Sequence, residues 1–415
     1  MQEQDELSLK PVPQGQRVGP AAPLFNMLGA NIAISELMLG GALVYGLSLG
    51  DMIMVSIAGN FILVVLLMAQ GYIGYKEGLN TYMLTKGAFG ELGGKYLISL
   101  LLGITSFGWF GVQAGVAGLS MQKIFPDINL TAAVIVLGLL MMLFAVVGFK
   151  AMAKFNYLAI PPLVILMAWG IYEALDIFGV DSIINHTPKE PMSIVSGLNS
   201  VIGLVIVGAI VSPDQLRFSR SAKDVFIIGL VGIGLVSIFQ QVAAGIMATG
   251  APSADITEVL ANLGFGFIAF SILILAAWST NVANAYSGGL ALKTMLPNVK
   301  RTHLTLLAGL IGTGVAASGI IFKFIEFLSF LSYAVPAIAG IMWSEYYLLR
   351  KRTFVVRPGV NVIAILCWIA GFLVSYFSAK GEGFLIPPVN GLLAAGLLYF
   401  LLMPLFDKKT PVNKE

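Results

Sequence analysis

Charge is scarce in this sequence. Asp, Glu, Lys and Arg make up 11% of its 415 residues, against about 25% in soluble domains. That excludes a water-soluble globular fold and a basic surface for nucleic acid. Cysteine occurs once, as Cys367 inside an apolar run, which rules out a disulfide framework and a thiolate metal site. The two histidines, His186 and His303, flank different apolar runs and form no cluster. No phosphate-cradling glycine loop is present either. Hydrolysis, ATP-driven transport and metal chemistry therefore find no support, and neither an enzyme nor a bound cofactor is expected. Residues 1–20 are polar and hold Pro11, Pro13 and Pro20, unlike a cleavable signal.

What is abundant is apolar sequence. Hydrophobic residues are 58%, and 47 glycines are distributed among them, as in packed transmembrane helices. Twelve runs can be read: 22–47, 52–75, 96–122, 130–149, 157–178, 194–212, 225–249, 264–291, 303–321, 324–348, 361–379 and 384–405. With the N-terminus inside, only Lys123, Lys189, Lys323 and Lys380 of the 24 basic residues fall outside. This asymmetry places both termini in the cytoplasm and checks the span count. The expectation is an all-α integral protein of the cell (inner) membrane. It has a cytoplasmic tail at 1–20, a single transmembrane domain at 21–406 and a second tail at 407–415. The polar segment 76–94 reads as a short helix at the inner interface or as a loop.

The first run, 24–47, is long enough to span, yet it contains Asn26, Asn31 and Glu36 and is interrupted by Gly29, Gly40 and Gly41. A carboxylate at membrane depth costs about 2.5–3.5 kcal/mol on insertion scales. A helix opening near Gly29-Ala30 frees carbonyls that need a cation, a polar ligand or water. The alternative is a helix packed through its glycines, with Glu36 paired or neutral. The sixth run repeats the pattern at Gly208-Ala209, followed by Pro213-Asp214-Gln215. Two interrupted spans at matching places in two halves point to an inverted repeat of five spans, 1–5 and 6–10, with broken helices 1 and 6 and a midplane site.

Three further stretches carry polar chemistry. In the third run Ser106, Trp109 and Gln113 share one helical face. An indole beside an amide and a hydroxyl suits a flat heteroaromatic ring: the indole stacks and the polar groups read the ring edge. Membrane tryptophans more often pack or anchor, but Trp109 lies mid-run. In the eighth run Ser279 and Thr280 offer neutral oxygens to Na⁺, with carbonyls of an opened first span to complete the shell, although such hydroxyls commonly bond helix backbones. Asn281 and Asn284 each match a nucleobase edge by donor and acceptor. Asn60, Gln70, Gln240 and Gln241 read as glue between helices. In the tenth run Pro336 bends the helix and Tyr333 is placed to gate the cavity. Glu326 and Glu345 lie near the ends of that run, where solvent is available, and receive no coupling role.

These residues bring a family into view. Pro11-Val-Pro-Gln-Gly-Gln-Arg17, Gly71-Tyr-Ile-Gly-Tyr-Lys-Glu-Gly-Leu-Asn-Thr81, Gly108-Trp-Phe-Gly111, Asp214 with Arg217-Phe218, Trp278-Ser-Thr-Asn281, Phe330-Leu-Ser332 and Pro388-Val-Asn390 follow in order. With them the chain resembles nucleobase:cation symporter family 1, the cytosine, purine and hydantoin permeases, and among them the bacterial cytosine permeases. The resemblance implies alternating access, with a base held against Trp109 and read by Gln113 or Ser106. It implies a Na⁺ site from the carbonyls of Gly29, Ile32 and Ala276 and the hydroxyls of Ser279 and Thr280. Asn281 and Asn284 are the implied eighth-span ligand residues, beside Gly208, Asn31 and Glu36. Two departures stand out. Val205 occupies the place of a sixth-span aromatic. Glu36 replaces a small residue, and Ala33-Ile-Ser-Glu36-Leu looks like the hydroxymethylpyrimidine-transporter branch.

The expected function is Na⁺-coupled import of a nucleobase, cytosine first, by a monomer. The alternative is a permease for hydroxymethylpyrimidine or another purine, pyrimidine or hydantoin, with H⁺ as coupling ion. A channel requires a continuous pore, and the polar groups cluster at the midplane instead.

Overall fold

The structure is a computed structural model describing residues 10–146, 149–251, 254–381 and 385–406, without the side chains of Asn26, Ala30 and residues 149–159. The Asn26 and Ala30 side chains and both outer tail ends, singled out above, lie outside what is described.

Each apolar run is helical, because a helix satisfies its own main-chain groups where water is absent. Span 1 is two helices, α1 (Ala21–Asn31) and α2 (Ile34–Gly46), meeting at 58°. Span 2 is α3 (Leu49–Glu77), followed by the short α4 (Thr81–Phe89). Spans 3 to 5 are α5 (Gly93–Ile124), α6 (Leu130–Ala145) and α7 (Phe149–Phe178). Span 6 is α8 (Ile194–Ile210), continued after two residues by a helical turn, Pro213–Leu216. Span 7 is α9 (Ala222–Ala248), with a π-helical segment at Leu230–Leu235. After α10 (Ile256–Asn262), spans 8 and 9 are α11 (Phe267–Met295) and α12 (Arg301–Ala317). Span 10 is α13 (Phe324–Ala334) joined at Pro336 to α14 (Pro336–Trp343), and spans 11 and 12 are α15 (Val362–Ser378) and α16 (Pro387–Phe406).

The packing follows the repeat. Span 1 lies along span 7 and span 6 along span 2, so exchanging 1 with 6 and 2 with 7 maps one pair onto the other. Spans 3 and 8 pack on each other, as do 4 and 9. Glycine permits the closest approaches: a Cβ on Gly40 would lie 2.3 Å from the Gln241 carbonyl oxygen, and one on Gly203 2.2 Å from that of Leu328. At both places helix backbones touch without side chains between them.

Both interruptions fall a few residues beyond the Gly-Ala pairs. Gly29 and Gly208 are helical, and the chain opens at Ile32–Ala33 and Val211–Ser212. Ile32 and Ala33 have φ of −76° and −138°, which any residue adopts, so no glycine is needed. In span 6, Pro213 supplies no N–H and stops the helix.

Two expectations, for segment 76–94 and for Glu345, meet the packing here. The 76–94 segment forms a short helix, as one of its two readings had it, but α4 is covered by protein and not exposed. The loop after span 10 folds over it: Arg357 N–H donates to the Lys86 carbonyl, Glu91 N–H to Arg357 and Asn361 N–H to Phe89. Glu345 is likewise buried, because that loop brings Arg350 to 3.0 Å and Arg357 to 2.9 Å from its carboxylate.

Candidate substrate and cation site

A cavity of about 220 Å³ lies between spans 1, 3, 6 and 8. It extends to the face carrying the N-terminal segment, where Tyr82, Asp214 and Gln215 line it. At the mouth, Asp214 Oδ1 accepts the Thr81 N–H at 2.8 Å and so ties α4 to the end of span 6. Burial, then the Asp214 charge, push the Tyr82 phenol above its ordinary range and keep it neutral.

Its deep end is built by α5. Gly108 lets Phe327 of span 10 approach and Gly111 lets the end of span 9 do so, and Trp109 meets Phe327 and Phe324 edge-on, with ring centroids 5.4 and 6.3 Å away. One turn on, Gln113 also lines the cavity; it is 1% exposed, and neither its Oε1 nor its Nε2 has a hydrogen-bond partner. A buried amide left open on both atoms is costly unless something binds there. Ser106, one turn before Trp109, lines the wall and donates to its own helix at the Leu102 carbonyl, 3.2 Å away.

Span 6 supplies an aliphatic wall of Leu204, Val205 and Val207. No aromatic stands at Val205. Gly208 faces open space, since a Cβ there would find only Val205 Cγ1, at 3.8 Å.

Span 1 brings Asn31, Ala33, Ser35 and Glu36 to the cavity. Glu36 accepts from Ser237 at 2.6 Å and from Gln241 at 2.7 Å, both on α9, with each carboxylate oxygen taking one bond. Gln241 accepts in turn from Asn60 at 3.1 Å. The glutamines read as glue do join helices: Gln70 accepts from Trp343 of span 10, and what Gln240 and Gln241 hold is the break in span 1 and the carboxylate.

On span 8 the two asparagines separate. Asn284 lines the cavity. Asn281 is fully buried behind it, donating to the Phe110 carbonyl at 3.0 Å and accepting from Asn284 at 3.2 Å. Thr280 lines the cavity and donates to the Ala276 carbonyl at 3.2 Å; Ser279 is buried beside it. Gly29 sits in the last turn of α1 and Ile32 is the residue that ends it, at the break; α1 contacts α11. The five oxygens of the expected cation shell thus belong to α11, to α1 and to the break that follows α1, the two helices being in contact. Tyr333 does not line the cavity, because its ring packs on Tyr376 of span 11. Beyond Trp109 and Phe324, toward the opposite face, a second cavity of about 240 Å³ is lined mainly by apolar residues, with Asp255, Thr257 and Glu326.

Comparison with known proteins agrees with this architecture. Residues 11–402 match the family model described as permease for cytosine/purines, uracil, thiamine, allantoin. The cytosine permease of Escherichia coli (strain K12) is 33% identical, over 99% of this chain and 97% of its own. The hydantoin permease of Microbacterium maritypicum is 26% identical, over 96% of this chain and 88% of its own. Among solved structures, Mhp1, a nucleobase-cation-symport-1 family transporter closed on bromovinylhydantoin, shares the fold. Its TM-score is 0.84 at 20% identity, covering 98% of this chain and 97% of that one. These relatives are permeases, and the chain is a multi-pass membrane transporter, not an enzyme. By its matching model, its identity to curated permeases and its fold, the chain belongs to the cytosine/purine permease family, nucleobase:cation symporter family 1.

Proposed function

We propose that this protein imports a pyrimidine-type nucleobase, cytosine first, in symport with Na⁺ across the cell membrane. The observation that carries the reading is the open amide of Gln113 one helical turn from the Trp109 ring. A planar base stacked on the indole brings an edge with both donor and acceptor to that amide. Asn284 and the free lone pairs of Glu36 are placed to accept N–H groups from other edges, and Asn281 holds Asn284 in position. Gly208 leaves room on the span 6 side.

Na⁺ is proposed at the junction of α1 and α11, on the carbonyls of Gly29, Ile32 and Ala276 and the hydroxyls of Ser279 and Thr280. Thr280 then exchanges its bond to the Ala276 carbonyl for the ion. Coupling is reciprocal, so Na⁺ and base raise each other's affinity by one factor. The basic residues favour cytoplasmic termini, and with that orientation the cavity faces inward. The site is built within one chain, which suits a working monomer.

The test is uptake of radiolabelled cytosine into proteoliposomes. Saturable uptake driven by an inward Na⁺ gradient is expected; uptake unchanged in choline rejects Na⁺ coupling, and flux without saturation favours a channel. A second reading rests on Glu36, a cavity-lining carboxylate that accepts hydrogen bonds from the neutral Ser237 and Gln241. It favours an amino-substituted ring such as hydroxymethylpyrimidine, with H⁺ as coupling ion. A thermal-shift panel of cytosine, uracil, hydroxymethylpyrimidine, adenine and hydantoin, with and without Na⁺, separates the two.

A further inference from the structure

A continuous helix would pair the main-chain groups that span 1 leaves open at its break. One side chain of α9 meets two of them. The Ala33 N–H donates to Gln240 Oε1 at 3.1 Å, and Gln240 Nε2 donates to the Asn31 carbonyl at 2.9 Å. Asn31 in turn donates through Nδ2 to the Gly232 carbonyl at 2.8 Å, inside the π-helical segment of α9. Such segments alter local carbonyl directions and recur at functional sites. Gln240 is 1% exposed, so its bonds are not shared with bulk water. Glutamine suits the place, since one planar group offers a donor and an acceptor across a two-residue gap. Ser237 and Gln241 lie on the same face of α9 and hold Glu36 in the first turn of α2. Span 7 therefore grips the unwound stretch on both sides of the break.

We propose that Gln240 is a positioning residue for cation coupling. It fixes the direction of the stretch 29–33, and with it the carbonyls that meet Ser279 and Thr280 on α11. Without Gln240, two buried main-chain groups lose their partner, and the stretch relaxes away from the orientation the ion needs. This inference rests on the Na⁺ coupling proposed above. It concerns a residue that touches neither base nor ion.

The experiment uses full-length Gln240→Leu and Gln240→Asn; the second keeps the amide but is one methylene too short to bridge both groups. In proteoliposomes, the half-saturating Na⁺ concentration should rise by about fivefold or more, while the cytosine KM at saturating Na⁺ changes less. Hydrogen exchange of the peptide covering 28–38 should quicken in both purified variants. A role confined to folding lowers the maximal rate and leaves the Na⁺ half-saturation in place. Na⁺-dependent wild type with an unmoved half-saturation in both variants overturns this inference alone, and so does unaltered exchange. Wild-type uptake indifferent to Na⁺ overturns the coupling and this inference together. If Gln240→Leu does not fold, Gln240→Asn carries the same readouts.

Discussion

Replacing Gln113 by leucine should separate binding from stability. Both polar atoms of its amide are buried without a partner, so a base engaging both gains two hydrogen bonds of about 0.5–1.5 kcal/mol net each. Losing them, about 1–3 kcal/mol, weakens binding roughly 5–150-fold. Leucine is apolar and of similar size, and the substitution breaks no hydrogen bond of the protein. The ligand-free fold should therefore keep its thermal stability or gain some. Gln241→Leu is the contrast. That amide donates to the Glu36 carboxylate at 2.7 Å and accepts from Asn60 at 3.1 Å. Leucine leaves the buried Glu36 and Asn60 groups without these partners, at about 1–3 kcal/mol, so this variant should lose stability outright. The assay is equilibrium binding of radiolabelled cytosine to purified protein, with Tm measured on the same samples. If Gln113→Leu drops Tm as far as Gln241→Leu, or binds cytosine unchanged, the assignment of Gln113 as a ligand-facing amide is wrong.

Gly208→Leu should leave Tm near wild type and abolish uptake, because a side chain there meets only Val205 and fills the cavity; wild-type uptake with the leucine in place removes Gly208 from the site. Gly203→Ala should instead cost about 1–3 kcal/mol of stability, since its Cβ is driven onto the Leu328 carbonyl at 2.2 Å, and an unchanged Tm contradicts that packing. Trp109→Ala should remove both uptake and binding, with Trp109→Phe retaining part of each; alanine supporting normal uptake shows that the ring is not the platform. Burial raises the Tyr82 phenol, so its contribution to stability is full below its ordinary pKa of 10.0 and is lost as pH rises toward the higher folded value. Tyr82→Phe should flatten the fall of Tm above that pH, and identical alkaline profiles speak against the burial.

Span number and order were legible because each apolar run had to satisfy its backbone within itself. Trp109, Gln113 and Ser106 were legible as one face because helical periodicity is local. The asparagines of span 8 were not resolved, since Asn281 and Asn284 are three residues apart and only the packing of Phe110 turns one inward. The break in span 1 was displaced because glycine was the local signal there, while the side chain that bonds across the gap is Gln240, 207 positions from Ala33; in span 6 Pro213 was in view, but the weight fell on the glycine. The burial of α4 was hidden because the loop that covers it follows span 10, far along the chain; that of Glu345 was hidden because the fold of that neighbouring loop, which carries Arg350 and Arg357, is not written in helical periodicity. Tyr333 was misjudged because a helical residue's outward or inward direction depends on which neighbour, here Tyr376, claims its ring.

The two cavities on either side of Trp109 have an electrical consequence. Water in both would conduct the membrane potential inward from each surface, so that most of the voltage drop falls across the thin layer of rings between them. Each elementary charge crossing that layer would then sense most of the membrane voltage, worth about 2.3 kcal/mol per 100 mV. Under the Na⁺ symport proposed above, a step that carries the ion past the Phe324 ring should accordingly register as a transient current.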